Sequence, residues 1–121
     1  MKVKVVVNEQ HKLMDEQIEI LDNKFQPLGW DLFKIPAEGL TLAEQIETAG
    51  RIQENPGVVF ASPVPVLLAR CVALAVEADS LGGGLRGSVF VFHNDHREKK
   101  ELPGGKVIMT VAQTGWQLVQ I

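Results

Sequence analysis

Gly57-Val58-Val59-Phe60-Ala61-Ser62-Pro63-Val64-Pro65, running on into Val66-Leu67-Leu68-Ala69-Arg70-Cys71-Val72-Ala73-Leu74-Ala75-Val76, decides how the rest of the chain folds. The β-branched start reads as a buried strand, and Ser-Pro-x-Pro ends it abruptly and opens an apolar helix. A strand that turns sharply into a helix is the repeating unit of α/β folds, and such junctions are where those folds bind ligands. Val58 to Val76 is long enough to suggest a membrane span. Two prolines near its middle and Arg70 inside the helix argue instead for a strand followed by a buried helix. Apolar residues surround that helix without forming one stripe, so it is expected to lie deep in the core or under a second subunit.

Upstream, Val3-Lys4-Val5-Val6-Val7 reads as a central strand that ends in the polar run Asn8 to Lys12. Met14, Ile18, Leu21 and Phe25 then recur at helical spacing, with Asp15 and Glu16 suited to the first turn. Pro27 and Gly29 stop this helix, and Trp30 to Ile35 reads as a second strand. Thr41-Leu42-Ala43-Glu44 is a capping-box pattern that starts a second helix, carrying Leu42, Ile46, Ala49 and Ile52.

Downstream, Asp79 to Gly87 holds four glycines. This loop runs from helix to strand, whereas phosphate loops run from strand to helix, so it reads as a connection. A fourth strand, Ser88 to Phe92, ends in His93-Asn94-Asp95-His96-Arg97. Short turns then separate strands at Val107 to Ala112 and Trp116 to Ile121, which predicts antiparallel pairing in a hairpin or meander joined to the sheet. The fold class is α/β, a single Rossmann-like three-layer domain over residues 1–121 with a mostly parallel sheet in the order 2-1-3-4. Residues 1–94 form its β-α-β-α-β-α-β core and 95–121 its antiparallel extension.

With 121 residues, 45% of them hydrophobic and 22% charged, the chain suits one globular core. A net charge of −3 gives no general attraction for long nucleic acids, so an anionic ligand has to be small and held locally. The single cysteine, Cys71, cannot form an intrachain disulfide, and the polar residues 8–12 break any secretory leader, which points to the cytoplasm.

In the 2-1-3-4 order the crevice lies beyond the C-terminal ends of strands one and three. Asn8, Glu9, His11 and Lys12 would meet Ser62 and Pro63 there, with His93, Asn94 and Arg97 approaching from the fourth strand. Ser62 also reads as the N-cap of the third helix with Pro63 at its first position, a role compatible with anion binding. Lys12 can face a phosphate as a point charge. His93, Asp95 and His96 would be the ligands of a metal-dependent hydrolase, but no metal-binding spacing supports them, so neither metal nor cofactor is expected. Residues 95–101 alternate in charge and read as a solvated arm, and Trp30 and Trp116 read as packing residues.

The Rossmann-like core, His11-Lys12-Leu13-Met14-Asp15-Glu16-Gln17 after strand one, and Ser62-Pro63-Val64-Pro65 after strand three resemble the small CRISPR-associated proteins related to CARF domains, including stand-alone ring nucleases. The resemblance implies a homodimer that binds a cyclic oligoadenylate second messenger, or another small anionic ligand, in an antiviral pathway. It further implies metal-independent cleavage of that ring by its own 2′-hydroxyl. Ser62, Pro63, Asn8 and Asn94 would then position the ligand, Lys12 and Arg97 would stabilise charge, and His11 or His93 would move protons. A non-catalytic dimeric nucleotide-binding or assembly module is the alternative.

Overall fold

The structure is a computed structural model and describes residues 2–80, 88–94, 97–111 and 114–121. The chain runs β1 (Val3–Asn8), α1 (Asp15–Lys24), β2 (Trp30–Ile35), α2 (Leu42–Ile52), β3 (Gly57–Phe60), α3 (Pro65–Ser80), β4 (Ser88–His93), β5 (Arg97–Glu101), β6 (Val107–Val111) and β7 (Gln117–Gln120). Residues 81–87 of the glycine-rich loop, and Asp95 and His96, lie outside the described residues, while Asp79 and Ser80 end α3.

A mixed five-stranded sheet has the order β2-β1-β3-β4-β7. The first four strands are parallel, with Val6 beside Phe33 on one side and Phe60 on the other. β7 runs antiparallel to β4, placing Val119 opposite Val91. The sheet thus differs from the four-strand expectation by a fifth strand at its edge. Of the expected antiparallel extension, β7 joins the sheet, whereas among the described residues β5 and β6 pair with each other as a separate two-stranded sheet. Arg97 to Glu101 is a strand of that ribbon, a segment whose charge concealed its β character.

β3 is the middle strand, and all its residues are buried. Alternation along the strands separates two cores. Val6, Val58, Phe60 and Val89 face α2 and α3, packing with Ala49, Ile52, Leu67 and Cys71. Val3, Val5, Val59 and Phe90 face α1, packing with Leu21. Helices therefore cover both faces, as right-handed crossovers require when β1 connects leftward and β3 rightward. Trp116 closes the α1 side: its backbone N–H donates to Glu16 Oε1 at 2.7 Å, and its ring meets Phe92 edge-on at 6.2 Å.

α2 begins as its sequence dictates. Glu44 N–H donates to Thr41 Oγ1 at 3.2 Å, and Thr41 N–H donates to Glu44 Oε1 at 2.9 Å. Hydrogen bonding from Thr41, its backbone N–H first and its side chain second, holds the exposed Glu44 carboxyl below its ordinary range. For α3 only one face lies in the core of the single chain. Leu67 and Cys71 are fully buried, while Val66, Ala69, Ala73 and Val76 are exposed along the opposite face. No helix among the described residues is long and apolar enough to cross a membrane.

Burial pushes the Cys71 thiol up from 9.0 to about 11. Between those values the unfolded chain has released the proton and the folded chain has kept it, so stability falls as pH rises through that window. The urea midpoint is expected to drop between pH 9 and 11, and to drop less steeply in Cys71→Ala. Identical pH profiles for the two chains would contradict this account of the thiol.

Candidate functional site

Where β1 and β3 end, the chain leaves in opposite directions, and the gap is closed by side chains. The Val6 carbonyl accepts from Ala61 N–H at 2.9 Å and Ser62 N–H at 3.2 Å, carrying the pairing just past the strand. Ser62 Oγ then accepts the Asn8 N–H at 2.9 Å across a separation of 54 residues. His11 Nδ1 lies 3.2 Å from the same oxygen. Oγ has two lone pairs, so it can accept both the Asn8 N–H and an Nδ1–H, which leaves the lone pair on Nε2; in the other tautomer it donates to Nδ1 and Nε2 carries the proton. His11 is exposed, and Nε2 has no partner among the described residues.

This arrangement corrects the role given to Ser62. α3 starts at Pro65, with the Val64 carbonyl accepting Leu68 N–H at 2.9 Å, so Val64 and not Ser62 is the residue at its N-cap. Ser62 is buried, at 4% exposure, and ties two strand ends together. The first turn of α3 is also poor in donors for an anion. Pro63 and Pro65 have no N–H, and Leu67 N–H donates to Gln45 Oε1 at 3.1 Å. Val64 and Val66 keep backbone N–H groups without an intramolecular partner among the described residues.

The loop after β1 is held from both ends. Asn8 Oδ1 accepts Gln10 N–H at 2.9 Å, closing an Asx-type turn. Glu9 Oε1 accepts Ala37 N–H at 2.7 Å, joining the loop to the chain beyond β2. Gln17 reaches back from the first turn of α1, its Oε1 accepting Met14 N–H at 2.9 Å.

Two clefts open beside this junction. The first, of about 400 Å³, is lined by Asn8, His11, Gln45 and Ser62 among apolar groups that include Leu40 and Pro65. The second, of about 460 Å³, is lined by His11, Lys12, Met14, Gln17, Pro63 and Trp116, with Gln10 and Ala61. His11 and Pro63 belong to both linings and form the ridge between them. Both volumes lie in the range of small-ligand sites, ~300–1,000 Å³.

Asn8, His11, Lys12, Ser62 and Pro63 are thus brought together at one edge of the sheet. His93 and Asn94 are at the end of β4 on the same edge, but neither lines these two clefts. His93 is exposed and stands opposite Gln117 in the β4–β7 ladder. Asn94 is buried, with Nδ2 donating to the Thr114 carbonyl at 2.9 Å, a bond that fixes the approach to β7. The backbone of Arg97 lies in β5, outside the main sheet. Among the described residues no group of His, Cys, Asp or Glu could hold a metal ion.

Sequence reasoning missed Gln17, Gln45 and Trp116 as parts of the crevice. The Gln17 signal was present, since Glu or Gln at the third helical position is the returning half of a capping box. Trp116 is brought there by β7, whose place beside β4 has no local signature.

No family model, no curated protein and no solved structure matches the chain. Its class is defined by its own fold and site: an α/β protein with a mixed sheet and a crevice at the point where the crossovers diverge.

Replacing Ser62 by Ala leaves the Asn8 N–H and His11 Nδ1 without their shared partner. The expected cost is about 1 kcal/mol in urea unfolding, the low end of the penalty for a stranded donor, because the Asn8 N–H is only partly buried. A loss below ~0.3 kcal/mol would show that Ser62 does not join the strand ends.

Proposed function

We propose that this protein binds a cyclic oligoadenylate-type second messenger, in a CRISPR-linked pathway, through the crevice beyond β1 and β3. The observation that carries the reading is the meeting of the His11 loop and the Ser62 turn on one hydroxyl, with Lys12 at the mouth of the adjoining cleft. A locally placed ammonium suits a small anion on a chain of net charge −3. The resemblance of residues 11–17 and 62–65 to CARF-related proteins supplies the ligand class.

Binding is the primary activity. Two prolines and the Gln45 bond leave few backbone donors at α3 for a developing phosphorane charge, which favours binding over turnover. Where cleavage follows, the ligand's 2′-oxygen attacks the adjacent phosphorus while His11 takes the 2′-hydroxyl proton. The bond from phosphorus to the 5′-oxygen breaks, a proton from solvent or Lys12 reaches that oxygen, and a 2′,3′-cyclic phosphate end remains. His11 suits the proton transfer in the tautomer whose Nδ1–H donates to Ser62 Oγ, because Nε2 then keeps an open lone pair. A Ser62 acyl-enzyme is disfavoured, because Pro63 lacks the adjacent N–H such a nucleophile uses for its oxyanion.

A two-fold ligand calls for a two-fold dimer. The outward stripe Val66, Ala69, Ala73 and Val76 on α3 supports such a pairing. The alternative, a non-catalytic dimeric nucleotide-binding or assembly module, is favoured by binding retained without turnover.

Calorimetry with cyclic tetra- and hexa-adenylate in the presence of EDTA tests the proposal. One ring should bind per two chains, and Lys12→Ala should weaken binding at least ~10-fold, in line with loss of a charged contact of ~1.5–3 kcal/mol. His11→Ala should bind the ring but yield no linear product. No heat of binding with either ring would overturn the proposal.

A further inference from the structure

The β5–β6 ribbon stands apart from the rest of the fold. Among the described residues its strands pair with each other and with no strand of the main sheet. Alternation puts Val107 on one of its faces and Ile108 on the other, and they are 52% and 38% exposed, so neither face is covered there. Two strands alone are marginal in water and gain by packing on something else. The ribbon is also the cationic part of a net acidic chain. Residues 97–111 hold four Lys or Arg and two Glu, a net charge of +2, which leaves −5 for the remainder.

Its base lies at the crevice. The ribbon is inserted between β4 and β7, at the His93–Gln117 end of their ladder, which is the edge of the sheet where β1 and β3 also end. Asn94 Nδ2 donates to the Thr114 carbonyl at 2.9 Å and so clasps the two stems of the ribbon together. Two residues beyond Thr114, Trp116 is a wall of the Lys12 cleft. Strands of five residues are ~16 Å long, enough to lie across that cleft, yet the ribbon lines neither cleft in this structure. Lys99 is exposed and has no hydrogen-bond or ion-pair partner among the described residues. The Leu102 N–H donates to the Lys106 carbonyl at 2.6 Å, one step beyond the Glu101–Val107 pair, so alternation puts Lys99 and Lys106 on opposite faces.

We propose that the ribbon is a clamp for a phosphate-bearing ligand, folding down over the Lys12 cleft and bringing the Lys99 ammonium to the phosphate oxygens from the side opposite Lys12. The inference rests on reading the crevice as an anion site, and it adds how the bound anion is enclosed. A segment of net charge +2 is drawn toward phosphate seated at its base, and closing removes exposed apolar ribbon surface from water. Such a clamp acts after encounter. Its contacts form once the ligand is in place, so they slow release and leave capture unchanged. Only the face that carries Lys99 meets the ligand, which leaves Lys106 pointing away.

Hydrogen exchange and stopped-flow binding on the full chain test the clamp. Cyclic tetra-adenylate should slow exchange of the amides of residues 99–108 at least tenfold. Lys99→Ala should release the ring at least tenfold faster with the association rate unchanged, and Lys99→Arg should restore slow release. Lys106→Ala, which removes the same charge from the other face, should behave as the unmutated protein. A ring that binds without slowing exchange in the ribbon overturns the clamp and spares the proposed function. So do equal effects of Lys99→Ala and Lys106→Ala on the association rate, which is what surface charge alone would give. If the ring does not bind, tripolyphosphate is the probe. Slowed exchange at residues 99–108 that is lost in Lys99→Ala then keeps the clamp and removes the messenger, whereas unchanged exchange with tripolyphosphate as well overturns both.

Discussion

Two parallel strands, β1 and β3, end side by side while the chain departs from them in opposite directions, and the divergence leaves polar backbone that no further strand can reach. One hydroxyl answers it. Ser62 Oγ takes the Asn8 N–H and holds His11 Nδ1, so the same atom finishes the sheet and orients the imidazole. The position of the crevice follows from sheet topology, but its shape follows from this junction. Both clefts share His11 and Pro63, the residues placed by the two sides of the junction. A serine in this position has little freedom to be anything else, since it is buried and its oxygen meets both the Asn8 N–H at the end of β1 and the His11 ring in the loop beyond.

The parallel core was legible in the sequence because its signals are local and agree with one another. Val3 to Val7 and Gly57 to Phe60 are β-branched runs bounded by polar or turn residues, and both are strands of the buried centre. Thr41 and Glu44 form the reciprocal cap that their spacing announces. The placement of the C-terminal strands was not legible. Turn residues around Pro103 and Gly115 say that neighbouring strands reverse, but not which of them joins the sheet. The answer is decided by β7 packing beside β4, with Leu118 against the α1 face of the core, while β5 and β6 pair only together.

The same distinction runs through the site. Asn8, His11, Lys12, Ser62 and Pro63 could be placed from strand ends alone, because a crevice at diverging crossovers is a property of the topology. The roles were harder to read than the places. Ser62 before a proline looks like a helix cap, yet the second proline moves the helix start to Pro65 and frees the hydroxyl for a contact 54 residues away in sequence. Asn94 looked available for a ligand and instead holds the turn before β7. Trp116 looked like packing alone, and its ring does pack, but on a wall of the cleft. α3 is apolar throughout, which calls for the core or a second subunit over its whole surface; within one chain the core covers only the Leu67 and Cys71 face.

The junction of β1 and β3 is the proposed site of ligand entry. An amide-resolved NMR titration of the whole chain with cyclic tetra-adenylate tests this most directly, because it reports every region at once. The account predicts that the perturbed amides cluster at Asn8, His11, Lys12, Gln17, Ser62 and Trp116. Shifts confined to the β5–β6 ribbon or to the C-terminal half of α3, or no shifts at all, would contradict it.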